Sequence, residues 1–336
     1  MTQGLVHSRR DKWDILKCFL IFCVVLGHAA DYYTADSPSL RCLFLFIYSF
    51  HMPLFIFVSG LFSKRTVNQL RISKISGFLL LYVALKMTGW FFNPATFRLN
   101  LFTESGLPWY MLVMFFYPII THFLRNVKAH YVLIISVIFA VFAGFDSNIN
   151  DFLALSRLIV FFPFYYLGYS LDAEQLESFT KKSWVKIVAV VCVIGVAALA
   201  LSGKFYILRY LFSARNSYSQ LDTYATRGPL LRIMAYIISA LMGFSLIALT
   251  PSRAPKFITK IGQRSLSVYF YHTMALHLIY ITFNLRHLLS TSPWGDSGYF
   301  IIPIALILTY IFSLKIFDIP VRYILKLPEK AKKLTD

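Results

Sequence analysis

A run of apolar residues near the N-terminus reads Asp14-Ile-Leu-Lys17-Cys-Phe-Leu-Ile-Phe-Cys-Val-Val-Leu-Gly27-His28. With the residues that follow, it is long enough to cross the hydrocarbon core of a bilayer as a helix, which takes about 20 residues. It also carries Asp14, Lys17 and His28, although ionisable side chains are costly inside a membrane and tend to mark function there. The run therefore predicts a transmembrane helix over 14–33 with functional side chains.

Comparable apolar segments follow along the whole chain of 336 residues. Charged residues make up 14% of the sequence, whereas an average soluble domain has about 25%. This composition excludes an ordinary soluble enzyme, and it excludes intrinsic disorder because too little of the chain is polar. The sequence predicts an all-α, polytopic integral membrane protein with ten transmembrane helices. Their expected ranges are 14–33, 42–62, 75–96, 107–124, 131–145, 152–171, 186–203, 229–249, 265–285 and 299–317.

The basic residues predict the orientation of these helices. The chain has 33 Lys and Arg residues against 15 Asp and Glu residues, a formal net charge of +18. Most basic residues fall on one side of the membrane when the N-terminus is placed inside, as the positive-inside rule requires. An even number of crossings then places both termini in the cytoplasm. The few outer basic residues include Arg98, Arg286 and several in one long outer loop, 204–228.

Residues 1–336 form a single predicted transmembrane domain of the plasma membrane, in contact with anionic membrane lipids through its basic segments. No nucleic-acid partner is predicted, because the basic residues are scattered between apolar runs. The four cysteines have neither metal-site nor disulfide-framework spacing, so the sequence predicts no metal. The oligomeric state, including a homo-oligomer, stays open.

The first helix carries its polar side chains on one stripe. At about 100° per residue, Lys17 lies about 20° and Asp14 about 40° from His28 around the helix. The rise along the helix separates Lys17 from His28 by about 16 Å. The two side chains therefore lie at different depths in the membrane, and we expect them to have different roles. Gly27 removes a side chain beside His28 and lets a substrate or a neighbouring helix approach. The competing interpretation is a packed histidine and a Lys17 that snorkels to the inner surface.

Two further segments place polar groups inside predicted spans. The second span contains His51 close to Pro53, a residue that frees a backbone carbonyl and kinks a helix. In the ninth span Ser265, Tyr269 and His272 follow the i, i+4, i+7 spacing of one helical face. Such a stripe lines a cavity or simply holds helices together, and both interpretations stay open.

The remaining candidates are basic. Lys86 and Arg157 fall within predicted spans without a carboxylate nearby in sequence, and each suits an anionic group or a partner across the bundle. The segment 63–74, called the inner loop below, suits phosphate binding through charge-assisted hydrogen bonds. Basic residues are also expected there for topology alone. Its basic residues are Lys64, Arg65, Arg71 and Lys74.

Five segments in this order resemble the membrane-bound acyltransferase-3 family, in the branch related to fucose 4-O-acetylases and other sugar O-acetyltransferases. Asp14 through His28 is similar to the family's Arg or Lys, ten residues, then His. The other segments are Phe50–Gly60, Pro108–Leu112 with Trp109 and Tyr110, Arg157–Gly168 and Ile261–His272.

The resemblance implies acetyl transfer from cytoplasmic acetyl-coenzyme A to a hydroxyl of a carbohydrate or glycolipid, as in polysaccharide biosynthesis. It implies that His28 is catalytic and that Lys17, with Asp14 beside it, fills a position where many relatives have Arg. It also assigns coenzyme A contacts to the inner loop, although this chain lacks the Arg-x-Arg that relatives often show there. Residues expected to line the substrate cavity are His51, Lys86, Trp109, Tyr110, Arg157, Tyr269 and His272.

Histidine suits this chemistry because its reference pKa, near about 6.5, lets it take the proton of an attacking alcohol at neutral pH. The same side chain can instead carry the acyl group transiently. Two alternatives stay open, the first of them from a different class. One is a transporter or flippase of a lipid-linked sugar, because buried His, Lys and Arg side chains suit it too; the other is a lipid-handling transferase with a different donor.

Overall fold

The protein is described by a computed structural model that covers residues 2–92, 100–104, 106–149, 151–283 and 298–335. Within these ranges the chain is helical, and an isolated antiparallel bridge between Thr103 and Phe152 is the β-structure present. The predicted outer residues Arg98 and Arg286, and the ends of two predicted spans at 93–96 and 284–285, lie outside the described residues.

The helices follow the apolar segments of the sequence. The α-helices are Thr2–Asp31, Pro38–Tyr48, His51–Leu61, Lys64–Asn68, Ile72–Phe92, Trp109–Leu124, Ala129–Phe142, Leu155–Ser170, Ala173–Thr180, Ser183–Leu201, Arg209–Phe212, Gly228–Leu249, Lys256–Gln263, Ser265–Phe283, Ile301–Phe312 and Lys315–Thr335. Short 3₁₀ helices at Tyr206–Leu208 and Tyr218–Arg227 occupy much of the predicted outer loop 204–228.

A helix occupies each of the ten segments predicted to span the membrane, but the helices differ in length. In the described part of the chain, five stretches are long and apolar enough to cross a bilayer, and a bent pair at 301–332 raises this number to six. Trp109–Leu124 and Ala129–Phe142 are apolar but shorter. The protein is therefore an all-helical membrane protein with several candidate spans.

The second predicted span is one stretch, Pro38–Leu61, whose helix is interrupted near its middle. Its two helices, Pro38–Tyr48 and His51–Leu61, meet at Ser49 and Phe50. Pro53 has no N–H to donate to the carbonyl oxygen of Ser49, four residues earlier. That carbonyl accepts a hydrogen bond of 2.6 Å from the Ser239 hydroxyl instead. The proline therefore places the break just before His51, at the start of its helix.

Contacts between Cα atoms group the chain into two compact units, each built from separate segments. The first unit comprises Met1–Phe55, Leu176–Arg209 and Ile237–Ile319, and the second comprises Ile56–Gln175, Tyr210–Tyr236 and Pro320–Asp336. In the first unit the helix Thr2–Asp31 packs against the helices at 38–48, 256–263, 265–283 and 301–312. It is therefore the central helix of that unit.

In the second unit, two glycines bring helices into backbone contact. A Cβ atom at Gly60 would overlap the carbonyl oxygen of Tyr165, and a Cβ atom at Gly168 would overlap the carbonyl oxygen of Phe57. The two positions are reciprocal, since each glycine faces the backbone of the other's helix. Small residues allow this close approach, which supplies much of the packing between helices in a membrane.

We expect Gly60→Ala to destabilise the protein by about 1–3 kcal/mol, because the added methyl group meets backbone that cannot turn aside. The thermal unfolding midpoint in detergent, followed by fluorescence, measures the effect. Gly195→Ala is the matched control, since its Cβ atom meets nothing within 4 Å and alanine gains up to about 1 kcal/mol in helix propensity. Equal midpoints for the two variants would refute the close packing at Gly60.

Candidate functional site

The first unit brings two predicted site histidines together. The ring centroids of His28 and His272 lie 5.3 Å apart, with a tilt of 49° between the rings. His272 is completely buried, and His51 is 2% exposed. His28 is only partly buried. His28 is therefore the most exposed of these three histidines.

Hydrogen bonds fix the tautomers of the two buried histidines. Nδ1 of His272 lies 3.0 Å from the carbonyl oxygens of Val268 and Tyr269, and Nδ1 of His51 lies 2.8 Å from that of Ile47. Because a carbonyl oxygen only accepts, each Nδ1 carries the proton and each Nε2 of the neutral ring offers a lone pair. Nε2 of His272 is buried without a hydrogen-bond partner in the described part of the chain.

Neighbouring side chains confine the space around His28. A Cβ atom at Gly27 would lie 3.1 Å from Cγ2 of Ile47 and 3.3 Å from Cε2 of Tyr48. The Tyr48 ring in turn lies 4.7 Å from the His51 ring, edge to face. Tyr269, predicted to line a cavity, is buried, and its ring lies 5.9 Å from that of His272. Because Gly27 has no side chain, Ile47 and Tyr48 can pack against the first helix beside His28.

Asp14 and Lys17 form the inner end of the predicted stripe. Their side chains pair at 2.6 Å, one turn apart on the helix. Asp14 also accepts a hydrogen bond of 2.8 Å from the Gln263 amide, and a Cβ atom at Gly262 would overlap its carbonyl oxygen. Lys17 is thus held by Asp14. Both residues lie far from His28, because the helix rises by about 1.5 Å per residue.

The second unit contains a buried ion pair that the sequence did not predict. Nζ of Lys86 lies 2.7 Å from the carboxylate of Glu104 and 2.7 Å from the carbonyl oxygen of Thr103. The side chains are 5% and 1% exposed. Burial raises the pKa of Glu104, which lies in the segment between two helices, while the Lys86 ammonium acts in the opposite direction. The geometry of the pair nevertheless places the Glu104 carboxylate as the counter-ion of Lys86.

Arg157 joins the same cluster from the helix Leu155–Ser170. The helix begins later than the predicted 152, so Arg157 sits in its first turn. Its guanidinium donates to the carbonyl oxygen of Glu104 at 3.3 Å and lies 5.1 Å from the ring centroid of Trp109. Trp109 stacks on Phe161 at 5.4 Å. The cation is thus held by carbonyl and aromatic groups.

Tyr110, the next predicted cavity residue, is buried on the same helix as Trp109. Its hydroxyl lies 2.9 Å from that of Ser59. The contact ties the helix Trp109–Leu124 to the helix that carries Gly60. Trp109 and Tyr110 consequently have packing roles in the second unit, whatever else they contact.

The inner loop holds its basic residues in different ways. Lys64 lies 4.0 Å from the Asp172 carboxylate, with both side chains nearly half exposed. Arg71 pairs with Glu329 at 3.3 Å, whereas Arg65 and Lys74 are exposed. Only Arg71 of these four lines a cleft, together with residues of the C-terminal helix Lys315–Thr335.

Arg232 is a buried cation that was not among the predicted site residues. It is 1% exposed. One guanidinium nitrogen donates to the carbonyl oxygen of Leu211 at 2.8 Å, while Nε and Nη2 lack a hydrogen-bond partner in the described ranges. A buried guanidinium is costly without an anion, so this position suits an acidic group. Its place in the apolar stretch Tyr218–Leu249 was the feature that could have identified it.

The predicted site residues therefore fall into two groups. His28, His51, Tyr269, His272, Asp14 and Lys17 belong to the first unit, and Lys64, Arg65, Arg71, Lys74, Lys86, Trp109, Tyr110 and Arg157 belong to the second. Among the residues that the structure describes, no group of three or more His, Cys, Asp and Glu side chains is arranged to hold a metal ion.

Comparison with known proteins gives one family match. The family model of the acyltransferase-3 type, described as an acyltransferase domain, matches residues 10–314. The match includes every predicted site residue and ends one residue before the C-terminal helix. No curated protein and no solved structure matches the chain significantly.

Proposed function

The chain belongs to the acyltransferase-3 family, and from this membership we propose that it moves an acetyl group from acetyl-coenzyme A to a hydroxyl of a carbohydrate, either a polysaccharide or a lipid-linked sugar. Membrane acyl transfer in general follows from the family. The donor, the acceptor and the role of His28 are our proposal. The observation that carries it is the partly exposed imidazole of His28 beside the buried, tautomer-fixed His272.

An alcohol needs a base to attack a thioester at neutral pH. The acceptor oxygen attacks the acetyl carbonyl carbon, the new C–O bond forms and the C–S bond breaks. The hydroxyl proton passes to His28 and then to the departing sulfur, so coenzyme A leaves as the free thiol. In the second route, His28 itself takes the acetyl group with release of the thiol and then passes it to the acceptor.

The remaining parts of the proposal concern topology. We propose ten membrane-spanning segments with both termini in the cytoplasm, in the plasma membrane, with the inner loop and Lys17 on the donor side. The Asp14–Lys17 pair then marks the inner end of the first helix, and His28 lies about 16 Å deeper. This arrangement lets a cytoplasmic thioester and an acceptor from the other side approach one histidine.

The test is a transfer assay with purified protein in lipid nanodiscs. With acetyl-coenzyme A and cell-surface polysaccharide fractions, we expect release of free thiol and a gain of acetyl mass on the sugar. Incubation with labelled acetyl-coenzyme A alone separates the two routes, because only the acyl-carrier route leaves label on the protein. Thiol release that does not exceed that of empty nanodiscs, with any acceptor fraction, would overturn the proposal.

The transporter alternative keeps one observation in its favour, the buried cations Lys86, Arg157 and Arg232. Such groups suit the passage of an anionic lipid-linked sugar. Flux of a labelled lipid-linked sugar across proteoliposomes, without consumption of acetyl-coenzyme A, would favour this alternative. The family membership favours acyl transfer over it.

A further inference from the structure

The first helix continues for about one turn beyond His28 and ends at Asp31. Asp31 and Tyr32 follow His28 at the i+3 and i+4 positions, so all three side chains lie on one side of the chain at this end of the helix. Asp31 is exposed, and Tyr32 is partly exposed. The end of the helix therefore places a carboxylate and a phenol ring one turn from the imidazole of His28.

Tyr32 forms a stacked pair with a tyrosine of the helix Ser265–Phe283. The ring centroids of Tyr32 and Tyr280 lie 4.8 Å apart, with 28° between the ring planes. The same two helices bring the rings of His28 and His272 together at 5.3 Å. The tyrosine pair and the histidine pair are therefore successive levels of one contact between helices, within the first unit.

Further aromatic side chains hold the tyrosine pair in place. Tyr33 is buried, and its ring centroid lies 5.9 Å from that of Tyr280 and 6.1 Å from that of Phe300. Tyr280 itself stays partly exposed. Aromatic rings that are already fixed by packing lose little conformational freedom when a ligand binds. The pair of Tyr32 and Tyr280 is therefore a preformed surface.

Two arginines tie the segment after the first helix to the predicted outer loop. Arg209 interacts electrostatically with Asp31 and donates a hydrogen bond of 2.9 Å to the hydroxyl of Tyr206. Arg41 donates to the carbonyl oxygen of Thr34 at 3.0 Å, and its guanidinium lies 5.3 Å from the ring centroid of Tyr206. These contacts surround Asp31 with chain that is held in a defined position.

These groups match what a sugar ring offers to a protein. One face of the ring consists of C–H groups, which pack against an aromatic ring, whereas its hydroxyls donate hydrogen bonds at the edge. An ionised carboxylate only accepts, so it can take two neighbouring hydroxyls at once, and such charge-assisted hydrogen bonds are stronger than neutral ones. Ligand sites in general combine an apolar or aromatic surface with a few well-placed polar groups.

We propose that Asp31, Tyr32 and Tyr280 hold one sugar ring of the acceptor beside His28. The inference rests on the proposed function and names the residues that orient the acceptor. The tyrosine pair packs against the C–H face of the ring, and the Asp31 carboxylate accepts hydrogen bonds from two of its hydroxyls. A further hydroxyl of the same ring is then presented to His28, one turn away, and this fixed orientation is what accelerates its attack on the thioester.

The test uses simple glycosides as probes, with purified protein in nanodiscs. The methyl glycosides of glucose, galactose and mannose are each offered with acetyl-coenzyme A, and thiol release gives the KM for the glycoside. In Asp31→Asn we expect this KM to rise about tenfold or more, because the charge-assisted hydrogen bonds are lost. The matched control is Asp36→Asn, an exposed carboxylate in the turn after the helix, with a KM expected within about twofold of the wild type.

The tyrosine pair is tested with two variants of one position. Tyr280→Ala removes the stacked ring and is expected to raise the KM for the glycoside about three- to tenfold. Tyr280→Phe keeps the ring and is expected to stay within about twofold of the wild type. In every variant the KM for acetyl-coenzyme A is expected to change less than about twofold, whereas a purely structural effect would lower the unfolding midpoint and alter both constants.

Saturation-transfer NMR reports glycoside binding without any acetyl transfer. We expect the strongest transfer from the protein to the C–H protons of one ring face in the wild type, and a weaker signal in Asp31→Asn and Tyr280→Ala. An Asp31→Asn protein with the unfolding midpoint, the glycoside KM and the NMR signal of the wild type would overturn the inference. A wild type that acetylates polysaccharide but neither binds nor acetylates any of the three glycosides would overturn it as well.

The sugar site and the proposed function fail separately in these experiments. If the glycosides bind and Asp31→Asn weakens this binding, but no acetyl group is transferred, the proposed function fails and the sugar site stands. If acetyl transfer proceeds with the same acceptor KM in the wild type, Asp31→Asn and Tyr280→Ala, the sugar site fails and the proposed function stands.

Discussion

His28→Ala is expected to lower kcat for acetyl transfer by about 10² to 10⁴, the usual contribution of a positioned general base. If His28 carries the acetyl group, the loss is larger, because no group of the variant can take over the covalent step. The KM for acetyl-coenzyme A is expected to change little, since the proposed donor contacts lie in the other compact unit. Initial rates of thiol release in nanodiscs measure both constants.

The matched control is His130→Ala. His130 is exposed on the helix Ala129–Phe142, and among the ring contacts described its ring lies only against that of its neighbour Tyr131, tilted by 53°. Its loss is expected to leave kcat within about twofold of the wild type. Addition of free imidazole offers a further readout, because the space left beside Gly27 can admit a small base and restore part of the rate in His28→Ala. A kcat within tenfold of the wild type in His28→Ala would contradict the assignment.

Helical periodicity and the cost of buried charge made part of this site predictable. Each predicted site residue on the first helix lies on one stripe, and the structure turns that stripe towards one region of the chain. Asp14 meets Gln263 and His28 meets His272, both within the segment 256–283. A single sequence gives the face of each helix but not which helix will pack there. The contact between His28 and His272, 244 positions apart, was therefore not predictable from spacing.

The sequence did not predict the partners of the buried cations. Lys86 has no carboxylate within helical reach in the sequence, and its partner Glu104 comes near it only in the tertiary structure. The C-terminal helix was likewise missed, since Pro320 and Pro328 interrupt its pattern. Its place is set by contact with Gly77, a tertiary feature. The break before His51 was foreseeable as a kink from Pro53, but the hydrogen bond from Ser239 to the freed carbonyl oxygen of Ser49 was not.

A large loss of stability is expected when the ion pair of Lys86 and Glu104 is broken. Lys86→Met removes one partner of a pair whose side chains are 5% and 1% exposed, and the carboxylate stays buried without its cation. Breaking a buried pair in this way costs about 3–5 kcal/mol. The free energy of unfolding, from denaturant titration in mixed micelles, measures the loss. Lys64→Met is the comparison, because the Lys64–Asp172 pair is nearly half exposed and worth at most about 1 kcal/mol.

The double variant Lys86→Met/Glu104→Gln separates stability from function. Neither member is charged, and the glutamine oxygen can still accept the Gly106 amide hydrogen bond that Glu104 accepts at 2.8 Å. Most of the lost stability is therefore expected to return, since a buried pair replaced as a unit is often neutral. If Lys86 also contacts the substrate, the double variant is stable but slow. A single variant Lys86→Met that unfolds like Lys64→Met would contradict the burial of this charge.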